Sequence, residues 1–239
     1  MKHSLNILKY VLLLALVVFL YGFSNKRNEK RNLTEIKIDF IDESSPFITL
    51  NKVNKLLIQS QAKVTGIHKE TLVLNEMESR LRANPMIRSA EVYVGVEGKL
   101  GAKIEQRKPL GRVAASPDYY IDAEGKTMPL SSVYTARVPL VTGTSSKNFV
   151  EVTPLLSKIE GDVFMNSLVV GLQVNKDGTI DLKLRKHNFT VLFGKPENID
   201  KKFQHFKAFY QKTIKDSTLN SYALVNVQFE SQVIATKKE

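Results

Sequence analysis

The sequence has no cysteine and no tryptophan, and only four histidines among its 239 residues. Without cysteine there is no disulfide framework, no thiolate nucleophile and no cysteine metal site. His3, His68, His187 and His205 are scattered, with no second histidine at i+3 or i+4 to share a metal. There is no Gly-x-Ser-x-Gly elbow, no phosphate-binding glycine loop and no motif that reads DNA or RNA. Asp122 and Glu124 come nearest to a paired carboxylate, and a turn explains them better. No spacing brings an acid, a base and a nucleophile together, so no catalytic, cofactor-binding or metal residue is assigned. The chain reads as a binding protein, not an enzyme. Low-complexity tracts and internal repeats are also missing, which argues against disorder.

What is present begins with charge and an apolar run. The formal charge is +11, which favours anionic partners such as lipid headgroups, cell-wall polymers or acidic protein faces. Tyr10 to Phe23 is an uninterrupted apolar stretch of 14 residues, YVLLLALVVFLYGF. Extended back to Leu5, a helix at about 1.5 Å per residue approaches the ~30 Å hydrocarbon thickness. Lys9 then sits where it can snorkel, and Tyr10, Phe19, Tyr21 and Phe23 lie near the ends, as an aromatic belt would place them. The rival reading is a cleaved signal peptide, for which only Gly22 and Ser24 offer small residues near the end of the run. An uncleaved anchor is the expectation: tail 1–9, transmembrane helix 10–23 (from 5 if extended), tether 24–32. Lys26, Arg27, Lys30 and Arg31 follow the run against Lys2 and Lys9 before it, so charge alone leaves orientation open. The early span and large folded remainder suit an N-terminus inside and the bulk outside.

Residues 33–112 alternate between two periods. Thr34 to Ile41 alternates with Ile36, Ile38 and Phe40 on one face, a strand. Thr49 caps a helix carrying Leu50, Val53, Leu56 and Leu57 at helical spacing. Gly66 breaks the chain, and Thr71 caps a second helix with Leu74, Met77 and Leu81 as its stripe, stopped by Asn84-Pro85. Ser89 to Val96 alternates, Glu97-Gly98-Lys99 turns, and Leu100, Ala102 and Ile104 mark the returning strand. The order is β-α-α-β-β. At least one edge of so small a sheet should lack a partner, and Ile36, Lys37, Ile38 and Asp39 are a candidate second docking edge. Lys37 and Asp39 serve equally as guards against pairing.

Residues 113–239 are richer in strands. After a strand ending in the turn Asp122–Gly125 and a strand start at Pro139, a short helix spans 154–159. Strands are expected over 168–174, 179–185 and 189–193, with Asn175-Lys-Asp-Gly178 turning between the first two. Ile199 to Ile214 is an amphipathic helix with Phe203, Phe206 and Tyr210 on one stripe, and 222–235 supplies the last strands. Leu224 to Phe229 alternates, placing Val225, Val227 and Phe229 toward the core and Leu224, Asn226 and Gln228 away from it.

Several of these segments resemble a known family. NPMIRSAEV (Asn84–Val92) with its following hairpin resembles the POTRA (polypeptide-transport-associated) domain. QRKPLGRV (Gln106–Val113) is similar to the Glu-Arg-x-Pro-apolar-Ala element closing that domain in the FtsQ/DivIB family of bacterial cell-division proteins. Gln106 stands where the family has Glu, and Gly111 where it has Ala. Tyr119 to Gly125 and Val138-Pro-Leu-Val-Thr-Gly143 resemble two motifs of the family's second domain.

The resemblance implies an α+β protein: N-terminal transmembrane helix, POTRA-like domain, then a β-rich domain with a late helix and a C-terminal edge strand. It further implies a single-pass inner-membrane protein at the division septum, linking early and late divisome components. Its partners would be of the FtsB/DivIC and FtsL type, with FtsW, FtsI and FtsK as further candidates, and no cofactor. Val225 to Phe229 matches a family segment near Val-Asp-Leu-Arg-Tyr, beside which partners add a strand. By that match Phe229 and Ser231 contact the partner, with Glu230, Gln232 and Val233 as neighbours. Asn226 and Gln228 replace charged residues there. The alternatives are a POTRA-bearing assembly or transport accessory and a cell-wall-associated binding module. The ~125 residues after the POTRA-like unit are too few for a large membrane barrel.

Overall fold

The computed structural model describes residues 2–29, 33, 35–42, 46–58, 73–95, 97–143 and 149–238, with side chains of the first helix described at 9–24 and 26. The chain divides into two compact units, Met1–Gln106 and Arg107–Glu239. The boundary expected at 112 therefore falls at 106. The reason is that Pro109–Val113 forms a strand paired with strands of the second unit rather than closing the first.

In the first unit, helix α1 runs Lys2–Glu29. Its apolar residues from Tyr10 to Phe23 are exposed. Among the described residues no helix is long and apolar enough to cross a membrane. The apolar run Tyr10–Phe23 covers about 21 Å of that helix, against ~30 Å of hydrocarbon. The transmembrane helix expected over 10–23, from 5 if extended, is thus not found among the described residues.

Strand β1 (Glu35–Phe40), helices α2 (Leu50–Leu57) and α3 (Leu74–Arg82), and strands β2 (Ile87–Val94) and β3 (Lys99–Gln106) follow in the expected β-α-α-β-β order. Thr49 caps α2, its hydroxyl accepting from Lys52 N at 3.3 Å. Asn84 stops α3 and its Oδ1 accepts from Met86 N. β3 is central, parallel to β1 and antiparallel to β2. Leu100, Ala102 and Ile104 of β3 are fully buried with Val53, Leu57, Met77 and Leu81 of the helices. Leu50, expected on the α2 stripe, is exposed at the helix start. Gly66, Thr71, Thr34 and Val96, each given a role above, lie outside the described residues.

The second unit is one nine-stranded sheet: β4 (Pro109–Val113), β5 (Tyr119–Asp122), β6 (Thr127–Pro129), β7 (Leu140–Gly143), β8 (Val169–Val174), β9 (Ile180–Leu184), β10 (Thr190–Gly194), β11 (Tyr222–Asn226) and β12 (Ile234–Lys237), in spatial order 12-11-10-9-8-7-4-5-6. Helices α4 (Thr153–Gly161), α5 (Val163–Leu168) and α6 (Ile199–Lys215) share one core with the inward row Val113, Val141, Leu172, Leu182, Val191 and Val225. Phe203 and Phe206 of α6 are buried in it, Phe203 edge-on to Phe193 at 6.0 Å. The turn at Asn175–Gly178 closes as expected, with Gly178 at φ +80°.

Two differences matter. The sequence reading missed α5, because its Val-Phe-Met run continues into an apolar strand. Asp162 separates α5 from α4, its carboxylate capping Met165 N at 3.0 Å. Strand β11 also ends at Asn226, short of the Phe229 expected. Val225 and Val227 are buried as expected, but Phe229 is 44% exposed, in the connection between β11 and β12.

Candidate partner-binding surfaces

The C-terminal end of the large sheet is built from β10, β11 and β12. β11 is parallel to β10 and antiparallel to β12, so Leu224 and Asn226 sit in a strand paired on both sides. They cannot accept an added strand, which corrects the edge expected over 224–229. The free edge belongs to β12. Lys238 N donates to Ser221 O at 2.8 Å. By alternation, the N–H and C=O groups of Thr236 and Ile234 also point to β11, and those of Ala235 and Lys237 point outward.

The remaining predicted residues, Gln228, Phe229, Glu230, Ser231, Gln232 and Val233, form the connection leading into β12. It is anchored at one end. Val227 N donates to Leu192 O at 3.0 Å, and Gln228 N to Asn226 Oδ1 at 2.9 Å. The Gln228 side chain lies against Gly194, where a Cβ would come within 2.8 Å of it. Asn198 Nδ2 donates to Glu230 Oε1 at 3.5 Å. Three apolar side chains stay exposed around this end: Leu224 (39%), Phe229 (44%) and Ile234 (45%). The last strands expected over 222–235 include Ala235 but stop short of Lys237, and no break between β11 and β12 is placed there. The polar triplet Glu230-Ser231-Gln232 was the available sign of a break.

In the first unit the two sheet edges differ. On β2, Glu78 Oε1 accepts from Val92 N at 2.9 Å, and Arg82 Nη2 donates to Ala90 O at 3.2 Å. Glu78 and Arg82 are themselves ion-paired one turn apart on α3. Two side chains thus occupy two of the outward groups of that edge. On β1, Ile41 N donates to Ile104 O at 3.0 Å, so Lys37 and Asp39 bond toward β3 while the outward groups are those of Ile36, Ile38 and Phe40. Lys37 and Asp39 form an exposed ion pair at 3.2 Å on one face of the strand. Among the described residues, no group of three or more His, Cys, Asp or Glu side chains could hold a metal.

Comparison with known families decides the identity. A family model described as FtsQ/DivIB, C-terminal related, matches residues 108–236, and one described as a POTRA-like domain matches 33–105. The chain belongs to the FtsQ/DivIB family. No curated protein matches the chain. Its two domains are those of a cell-division protein and are of non-enzymatic kind.

The FtsQ/DivIB motifs that looked separate in sequence are joined in space. Arg107 and Asp122 are both buried, and Arg107 Nη1 donates to Asp122 Oδ2 at 2.7 Å and to Glu124 Oε2 at 3.1 Å. Asp122 Oδ1 accepts from Glu124 N and Lys126 N, holding the turn. Burial opposes the Arg107 charge, but the hydrogen bonds and charges of Asp122 and Glu124 outweigh it and raise its pKa above the ordinary value. The carboxylates are structural partners of an arginine, as a turn role requires. Gln106, one residue earlier, is buried in the first unit, where its Oε1 accepts from Phe47 N (2.8 Å) and Ile48 N (3.2 Å). The acceptor role needs an oxygen there and not a charge, so Gln serves where the family has Glu. At Gly111, a Cβ would stand 2.9 Å from Leu156 Cδ1 and 3.1 Å from Val141 Cγ2. The space an alanine methyl would take is filled by Leu156.

Proposed function

We propose that this chain is a membrane-anchored division scaffold whose extracytoplasmic β domain binds other divisome proteins by strand addition along β12. The observation that carries the reading is the outward-facing backbone of Ala235 and Lys237 at the end of a sheet that the family model covers into its last strand. Main-chain bonds to such an edge supply affinity, and exposed Leu224, Phe229 and Ile234 supply apolar contact for selection. The connection residues Gln228 to Val233 flank the incoming strand, with Asn226 and Gln228 selecting by hydrogen bonding where charged residues select in relatives. FtsB/DivIC- and FtsL-type proteins are the partners proposed, and FtsW, FtsI and FtsK further ones.

The anchor is α1. Support for it comes from a continuous helix over Lys2–Glu29 whose leucines and valines from Val11 to Leu20 are exposed, a surface suited to lipid and unsuited to water. The N-terminus then lies in the cytoplasm, Lys26 onward lies outside, and the protein resides at the septum. An alkaline phosphatase fused after Glu239 will be active and a cytoplasm-only reporter silent. The opposite pattern removes both the location and the scaffold role.

A further inference from the structure

We propose that β1 is a self-association edge, at which two copies of this chain pair antiparallel and join their small sheets into one of six strands. Of the two edges of that sheet, β2 has Val92 N and Ala90 O taken by Glu78 and Arg82 of α3, whereas the outward groups of Ile36, Ile38 and Phe40 on β1 meet no described residue. An open strand edge is a template for another strand. The side chains of Ile36, Ile38 and Phe40 are also only half-buried, while their neighbours on β3, Leu100, Ala102 and Ile104, are wholly buried. A fourth strand on this edge would complete the cover that β3 already has.

The occupant is set by the sequence of the strand, Glu-Ile-Lys-Ile-Asp-Phe. Antiparallel pairing through outward groups must match Ile36, Ile38 and Phe40 with one another, which leaves few registers. With Ile38 opposite Ile38 of the second copy, Ile36 meets Phe40, and Lys37 meets Asp39 twice, once in each direction. Shifting the register by two residues one way sets Lys37 against Lys37 and Glu35 against Asp39. Shifting it the other way sets Asp39 against Asp39. Like charges directly opposite destabilise a ladder, and opposite ones stabilise it. Of these three registers, which each set at least two of the outward residues opposite one another, only the first is free of repulsion, and it is self-complementary, as a two-fold interface requires. The pair that would guard the edge against a stranger is therefore what admits a second copy. This goes beyond strand addition at β12 and does not depend on it.

The chain has no cysteine, so introduced ones report alone. The full-length protein carrying Ile38→Cys, oxidised mildly in the cells that make it, should run as a disulfide-linked homodimer. In the hydrogen-bonded pair the Cα atoms would be about 5.5 Å apart, within disulfide reach. Adding Lys37→Glu or Asp39→Lys should abolish the dimer. Co-producing those two charge variants should restore it as a mixed dimer only. As a second probe on exposed side chains, Lys37→Cys and Asp39→Cys should cross-link with each other and not with themselves. The proposal is overturned if both cysteine probes fail to link, if linkage ignores the charge reversals, or if the Ile38→Cys variant links to a different protein.

Discussion

Arg107 and Asp122 show how much of this protein is decided by single side chains. Two charges removed from water are tolerated because each is fully met: the guanidinium by two carboxylates, Asp122 by that guanidinium and two turn amides. Removing one member strands the other. Asp122→Ala should cost about 3–5 kcal/mol of the stability of the second unit by urea unfolding, and adding Arg107→Leu should recover part of that loss. A cost under about 1 kcal/mol would mean the pair is not desolvated. The turn at Asp122–Gly125 was legible from the sequence, since Asp, Glu and Gly in that order favour it. Its arginine was not, because the separation of 15 positions between Arg107 and Asp122 is bridged only once β4 and β5 pair. Gly111 was likewise visible as a departure, but its cause, the reach of Leu156 from α4, is a packing fact no local pattern encodes.

At the scale of elements, periodicity was reliable where an element has one clean face. α2, α3 and α6 and the strands β2, β3, β8, β9 and β10 fall within a residue or two of the pattern, apart from the early end of α3. It failed at α5, six residues long and continuous in apolarity with β8. There the signal was a cap. Asp162 caps α5 and its carboxylate is ion-paired with Lys207 of α6, tying two elements together. Burial works to raise its pKa, but the bonds from Lys207 and from Met165 N prevail and hold it below the ordinary carboxylate value. A depressed carboxylate supplies stability above its unfolded pKa and loses it as pH falls through its folded pKa. Asp162→Asn keeps the cap and removes the ion pair. It should cost about 0.5–1 kcal/mol at about pH 7, and the difference from the natural chain should vanish once the pH falls well below the ordinary carboxylate range of about 4. A difference that persisted at about pH 2 would show that packing, not charge, joins α5 to α6.

For the whole molecule, the sequence disclosed the order of domains and the family, while the sheet shows which strand stands at its C-terminal edge. The Leu224–Phe229 alternation looked like a terminal strand because Val225 and Val227 do face the core. Whether a strand lies at an edge depends on what returns beside it, and β12 returns after a seven-residue connection, 227–233. The edge therefore moves to β12, with the outward groups of Ala235 and Lys237. The most direct test is to replace each of them in turn with proline, which removes an outward N–H. Thermal unfolding of the full chain and capture of a co-produced FtsB/DivIC-type partner are then measured together. The account predicts that capture is lost from at least the exposed Lys237→Pro variant with an unchanged melting temperature. Capture undiminished by both prolines would contradict strand addition at β12 and the scaffold reading built on it.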